Sequence, residues 1–155
     1  MIRQNPVADL FKKKLHDSLM KEMSDYQTIK IAKNSNVYLA GSKDDLVYFI
    51  ERGQIKLLML SPLGKECLLA IHSGGDVFGE LCIGCISERA ETAIAMIDTE
   101  LKTIPASKFL AYLGKESLLD GFVQYLAMRV AEQQDIITSL VTVDSEERLG
   151  THCYN

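Results

Sequence analysis

The chain has 155 residues, 47% of them apolar and 25% charged, a balance that suits one globular domain with a single sizeable core and excludes a disordered chain. A formal net charge of −4 excludes the broad basic surface of a general nucleic-acid or anionic-membrane binder. No apolar run approaches the length of a membrane span and the N-terminus lacks a signal-peptide pattern, so a cytoplasmic protein is expected. Four cysteines, Cys67, Cys82, Cys85 and Cys153, fit reduced thiols in that compartment better than a disulfide framework.

Residues 1–24 read as an N-terminal helical segment. Val7, Leu10, Phe11, Leu15, Leu19 and Met23 recur close to a 3.6-residue period, with Asn5 as a start signal and Pro6 at the first helical position. Lys12, Lys13 and Lys14 fit a solvated face of that helix. Residues 25–113 change character. Short apolar runs such as Val37-Tyr-Leu, Leu46-Val-Tyr-Phe-Ile and Ile55-Lys-Leu-Leu-Met-Leu are punctuated by glycines at 41, 53, 64 and 75. Short strands at such intervals predict antiparallel sheets closed on themselves in a sandwich or barrel.

Helical patterning returns after Pro105, with a short helix over Ala106 to Leu113 and a long one over Ser117 to about Thr142. The segment 114–143 carries Leu119, Val123, Leu126, Val130, Ile137 and Leu140 at alternating spacings of 4 and 3, interrupted by Gln133. That seam predicts packing against a partner helix, hence a homodimer through residues 117–142. The alternative is that the stripe packs on the chain's own barrel. The helix length and its polar residues Arg129, Glu132, Gln134 and Asp135 favour the partner. A glutamine buried in the seam needs its amide satisfied, by a partner glutamine or by a ligand.

The stretch 76–95, DVFGELCIGCISERAETAIA, sets Glu80 and Arg89 among small and apolar residues. Gly79 and Gly84 before a loop and Ala90 after it leave backbone amides open to an anion. The planar fork of Arg89 suits phosphate oxygens, and Glu80 suits a hydroxyl donor such as a ribose 2′-OH. One cation, one carboxylate and free amides are what a ribose phosphate requires.

FGEL at 78–81, the nine-residue step from Glu80 to Arg89, and Arg89-Ala-Glu-Thr-Ala together resemble the phosphate-binding cassette of cyclic nucleotide-binding domains. Leu46 to Leu57 resembles that family's hairpin. Ala95-Met-Ile-Asp-Thr-Glu-Leu and the helix ending Asp144-Ser-Glu-Glu-Arg-Leu resemble bacterial regulators of the catabolite-activator and fumarate-nitrate-reductase superfamily. The resemblance implies a mainly β fold with flanking helices: a double-stranded β-helix (jelly-roll) barrel followed by a long C-terminal dimerisation helix. It implies that Glu80 takes the ribose 2′-OH of cyclic AMP or cyclic GMP. Arg89 then takes the cyclic phosphate with the amides of Gly79, Leu81 and Ala90, and Gln133 and Gln134 meet the base.

Several features depart from that pattern. Glu91 stands where a small residue is usual, and on a strand it would share a face with Arg89 and quench it. An internal Glu80–Arg89 pair is a further alternative. Cys82-x-x-Cys85 fits small buried residues, with a redox pair as the second reading; no metal set accompanies it. Residues 144–155 read as a hinge and tail, ending Thr151-His-Cys-Tyr-Asn without room for a helix-turn-helix, so no DNA binding is expected of these residues. No nucleophile–base pair argues for an enzyme. The expectation is a ligand-sensing domain, with a structural dimerisation module or a redox sensor that binds no nucleotide as the alternatives.

Overall fold

The alternating runs between the turn glycines fold as strands, because each can bury one face only against a second sheet. The computed structural model describes residues 6–21, 26–80, 82 and 88–151, with backbone alone at 7–8, 19–21 and 136–151. Helix α1 (Pro6–Lys21) is followed by β1 (Gln27–Ile31), β2 (Asn36–Tyr38), β3 (Leu46–Arg52), β4 (Gln54–Leu60), β5 (Glu66–Ser73), β6 (Val77–Phe78), β7 (Thr92–Ala95) and β8 (Thr99–Pro105). Two helices close the order, α2 (Ala106–Lys115) and α3 (Leu119–Thr151).

Two four-stranded antiparallel sheets, ordered β1-β8-β3-β6 and β2-β7-β4-β5, face one another as a jelly roll. Their inner faces bury Ile50, Ile55, Phe78, Ala93, Ala95 and Leu101 completely. A second core lies where the helices cover the first sheet, around Phe11, Leu15, Val77, Phe109, Leu113 and Tyr125. Phe78 belongs to the first core and Val77 to the second, so the short strand β6 is held from both sides just before the cassette. Each such fully buried apolar side chain contributes about 1.5–3 kcal/mol.

Helix α1 presents Phe11 and Leu15 inward, whereas Leu10 is half exposed. Met23 and Asn5, expected at its ends, lie outside the described residues. The helix is tied to the barrel by Lys12, whose Nζ lies 2.8 Å from Asp76 Oδ1. Asp76 also accepts from the Ser73 amide at 2.8 Å. Burial opposes the charge of this carboxylate, but hydrogen bonds from His72, Lys12 and the Ser73 amide outweigh it and hold Asp76 well below the usual carboxylate range. A depressed carboxylate stabilises the fold above its unfolded value of about 4, and that contribution fades as pH falls below it. Asp76→Asn is therefore expected to cost about 1–3 kcal/mol near neutral pH and to flatten the loss of stability below about pH 4, measured by urea unfolding across pH.

Helix α3 carries two stripes. Phe122 and Tyr125 are buried against α1, with the Phe11 ring centroid 5.8 and 5.4 Å from theirs. A Cβ on Gly121 would come within 2.9 Å of the Phe11 ring, so the glycine permits this close approach. The expected seam residues Leu119, Val123 and Val130 instead remain 48%, 57% and 52% exposed. Leu126, also of the seam, is partly buried against the core that takes the Phe122 stripe, and the side chains of Ile137 and Leu140 lie outside the described residues. Helix ends differ from expectation, α3 starting at Leu119 where Ser117 was expected. Helix α2 runs on to Lys115, and α3 continues without a break through Asp144–Leu149 to Thr151, where a hinge was expected from 144. Ser-Glu-Glu-Arg-Leu are compatible with helix and no proline interrupts them. No described helix is long and apolar enough to cross a membrane.

Candidate functional site

Strand β6 ends at Phe78 and the chain turns at Gly79, whose φ of +75° lies in the left-handed region. A Cβ there would meet Arg89 Nη1 at 2.9 Å and the Tyr48 ring at 3.0 Å. The glycine is needed both for its conformation and for the space it leaves to the arginine.

Arg89 is 6% exposed and firmly held. Its Nε donates to Asp44 Oδ2 at 3.2 Å and its Nη2 to Asp44 Oδ1. Nη1 donates to the Gly79 carbonyl at 2.7 Å, and Nη2 donates to the Leu46 carbonyl at 2.5 Å. Four of the five guanidinium N–H groups are thereby committed to described residues. One flat face lies against Tyr38, with Cζ 4.3 Å from the ring centroid, and the Tyr48 ring is 5.6 Å away. Burial lowers the arginine's tendency to hold its proton, but the hydrogen bond and charge of Asp44 more than compensate, so it stays charged. Burial, reinforced by the Asp44 charge, pushes the Tyr48 hydroxyl up to about 12.

This arrangement corrects which acid pairs with the cassette arginine: it is Asp44, where Glu91 or Glu80 was expected. Residues 88–91 are not a strand, so the rule that put Glu91 on the face of Arg89 does not apply. Tyr38 lies between them. Its ring covers the guanidinium, and its hydroxyl donates to Glu91 Oε1 at 2.9 Å. Burial and the neighbouring Glu91 raise the Tyr38 hydroxyl well above its usual range, keeping it a donor. Glu80 does not pair with Arg89 either. Its Oε1 faces Arg129 Nη1 of α3 at 3.5 Å.

Among the described residues, Arg129 of α3 reaches Glu80 of the cassette. Nη1 also donates to the Val77 carbonyl at 2.5 Å, and Nη2 lies 2.8 Å from His72 Nε2. Burial disfavours its charge, but Glu80, Tyr125 and Asp76 together favour it and the guanidinium stays protonated. The structure thus brings Gly79, Glu80 and Arg89 together. Ala90 follows Arg89 and is exposed, and Gln133 and Gln134 are exposed on α3, at and one residue beyond one helical turn from Arg129. Leu81 and Cys85 lie outside the described residues. Cys82 donates its thiol to the Gly79 carbonyl at 3.2 Å and the Leu46 carbonyl at 3.6 Å, sharing both acceptors with Arg89. Burial pushes that thiol up, which keeps it in the protonated, weakly nucleophilic form.

Asp44, Tyr38 and His72 were not singled out from the sequence, and Arg129, read there only as a polar residue on the outer face of the helix, is instead turned to the barrel with its side chain 13% exposed. Arg129 had a readable signal: Leu118, Phe122 and Tyr125 precede it at spacings of 4, 3 and 4, a second stripe beside the seam. Asp44 had none beyond being an acid in a loop.

The chain is 24% identical over 122 residues to the cyclic AMP receptor protein of Thermus thermophilus, covering 79% of this chain and 56% of that protein. It is 25% identical over 127 residues to the global nitrogen regulator of Synechococcus elongatus, covering 79% and 57%. A c-di-GMP-responsive global regulator of Xanthomonas campestris shares the fold at a TM-score of 0.74 and 14% identity, over 86% of this chain and 68% of that one. The chain spans a little over half the length of the two sequence relatives. The profile of the cyclic nucleotide-binding domain matches residues 28–116, more than half of the chain. With the jelly roll and the left-handed Gly79 before Glu80 in place, the chain belongs to the cyclic nucleotide-binding domain family.

Proposed function

We propose that this ligand-sensing domain binds cyclic AMP, cyclic GMP or a similar small anionic effector between the cassette 79–90 and α3. The chain dimerises through α3 in this reading. The observation that carries it is the Glu80–Arg129 contact. The carboxylate suited to a ribose hydroxyl is tied to the long helix, so engaging Glu80 alters what holds α3. A ligand moves that helix only by binding its two arrangements with different affinity. Asp44 orients the guanidinium, and the N–H of Arg89 not committed to a described residue is the donor offered to the phosphate. The half-exposed Leu119, Val123 and Val130 support a partner helix on α3. Gln133 and Gln134, exposed in one chain, meet the base from the dimer.

Calorimetric titration with cyclic AMP and cyclic GMP tests the reading. Binding is expected in the wild type, weakened roughly tenfold or more in Glu80→Gln through loss of a charge-assisted hydrogen bond. Gln133→Leu is expected to strengthen the dimer and broaden nucleotide selectivity. No heat with either nucleotide sinks the nucleotide reading. A second reading, a structural dimerisation module, is favoured by the Asp44–Arg89 pair, which already satisfies the cassette arginine. It is the outcome if titration is silent while light scattering still reports a dimer.

A further inference from the structure

His72 stands near the end of β5, 7% exposed, its ring stacked on Phe78 with centroids 6.4 Å apart. Its two ring nitrogens have different neighbours. Nε2 is 2.8 Å from Arg129 Nη2, and Nδ1 is 3.8 Å from Asp76 Oδ2. A guanidinium has only donors and keeps its proton at any ordinary pH. The 2.8 Å contact is therefore a hydrogen bond only if Nε2 carries a lone pair, which makes His72 neutral with its proton on Nδ1, facing Asp76. Arg129 thereby settles both the tautomer and the charge of the imidazole.

The groups around this pair come from four elements. Arg129 comes from α3, Asp76 from the β5–β6 turn, and Lys12 from α1, 2.8 Å from Asp76. Glu80 of the cassette approaches Arg129 at 3.5 Å, as does the Tyr125 hydroxyl. Asp76 accepts from Lys12 and the Ser73 amide and lies 3.8 Å from Nδ1, so it favours a charged imidazole where Arg129 opposes one.

We propose that His72 is a positioning residue for Arg129, holding α3 to the barrel when neutral and releasing that tie when Nε2 takes up a proton. A proton there removes the acceptor and sets two cations 2.8 Å apart in a water-poor site. This deepens the sensor reading, because it rests on α3 as the element that moves, but it does not depend on which effector binds.

The test uses the full chain. Long-range proton–nitrogen NMR at about pH 8 is expected to show His72 neutral with the proton on Nδ1. Hydrogen exchange around residue 129, corrected for intrinsic rates, is expected to accelerate roughly tenfold on acidification within the range where the fold persists. His72→Gln keeps an acceptor oxygen and cannot be charged, so it should abolish most of that acceleration, while His16 contributes equally to both proteins. A proton on Nε2 at about pH 8, or the same acceleration in His72→Gln, overturns the proposal. Cyclic AMP titration of both proteins runs alongside. No binding in either, with the exchange difference intact, sinks the nucleotide reading and upholds the His72 tie.

Discussion

Arg89→Ala is expected to destabilise the domain by about 3 kcal/mol, the low end of the range for breaking a buried ion pair. The guanidinium is 6% exposed, and its removal leaves the Gly79 and Leu46 carbonyls with only the weak Cys82 thiol as a described donor. It also removes the cation from the face of Tyr38, a contact worth about 1 kcal/mol. The figure stays at the low end because Asp44 is 23% exposed and can turn to water once unpaired. Arg89→Lys keeps the charge but reproduces only part of the forked set of bonds, so it should recover less than half of the loss. Urea unfolding midpoints decide the matter. A loss below about 0.5 kcal/mol would place Arg89 among surface ion pairs and contradict its burial.

Gly79→Ala is expected to cost roughly 2–4 kcal/mol, from two effects that add at one atom. An alanine at φ +75° is strained whatever surrounds it, and its Cβ would sit 2.9 Å from Arg89 Nη1. The guanidinium cannot easily step aside, because Asp44 and the Leu46 carbonyl hold its other edge. The displaced arginine should weaken anion binding as well as stability, so nucleotide titration and thermal unfolding should change together. A variant as stable as wild type would mean that the turn can adopt another conformation.

Much of this molecule is legible in one dimension because it depends on neighbours in the chain. Turn glycines at 41, 53, 64 and 75 lie between strands, as their spacing requires, and the 3.6-residue pattern of Phe11 and Leu15 faces the core. The cassette pattern from Phe78 to Ala93 names the family, because a left-handed glycine, an acid and an arginine at set intervals are a local backbone requirement. Which acid neutralises Arg89 is not local. Glu80 and Glu91 are near in sequence, yet the partner is Asp44, 45 residues away, because Tyr38 covers the guanidinium and takes Glu91 for itself. Likewise, His72 and Arg129 meet across 57 residues only after α3 has laid its Phe122 stripe on α1. Periodicity and turn chemistry are set by the chain's own geometry, so the sequence alone determined closed antiparallel sheets and a long helix, and the cassette's resemblance made them a jelly roll. Pairing among charges depends on which loops and helices arrive at one place, and only the tertiary structure decided that.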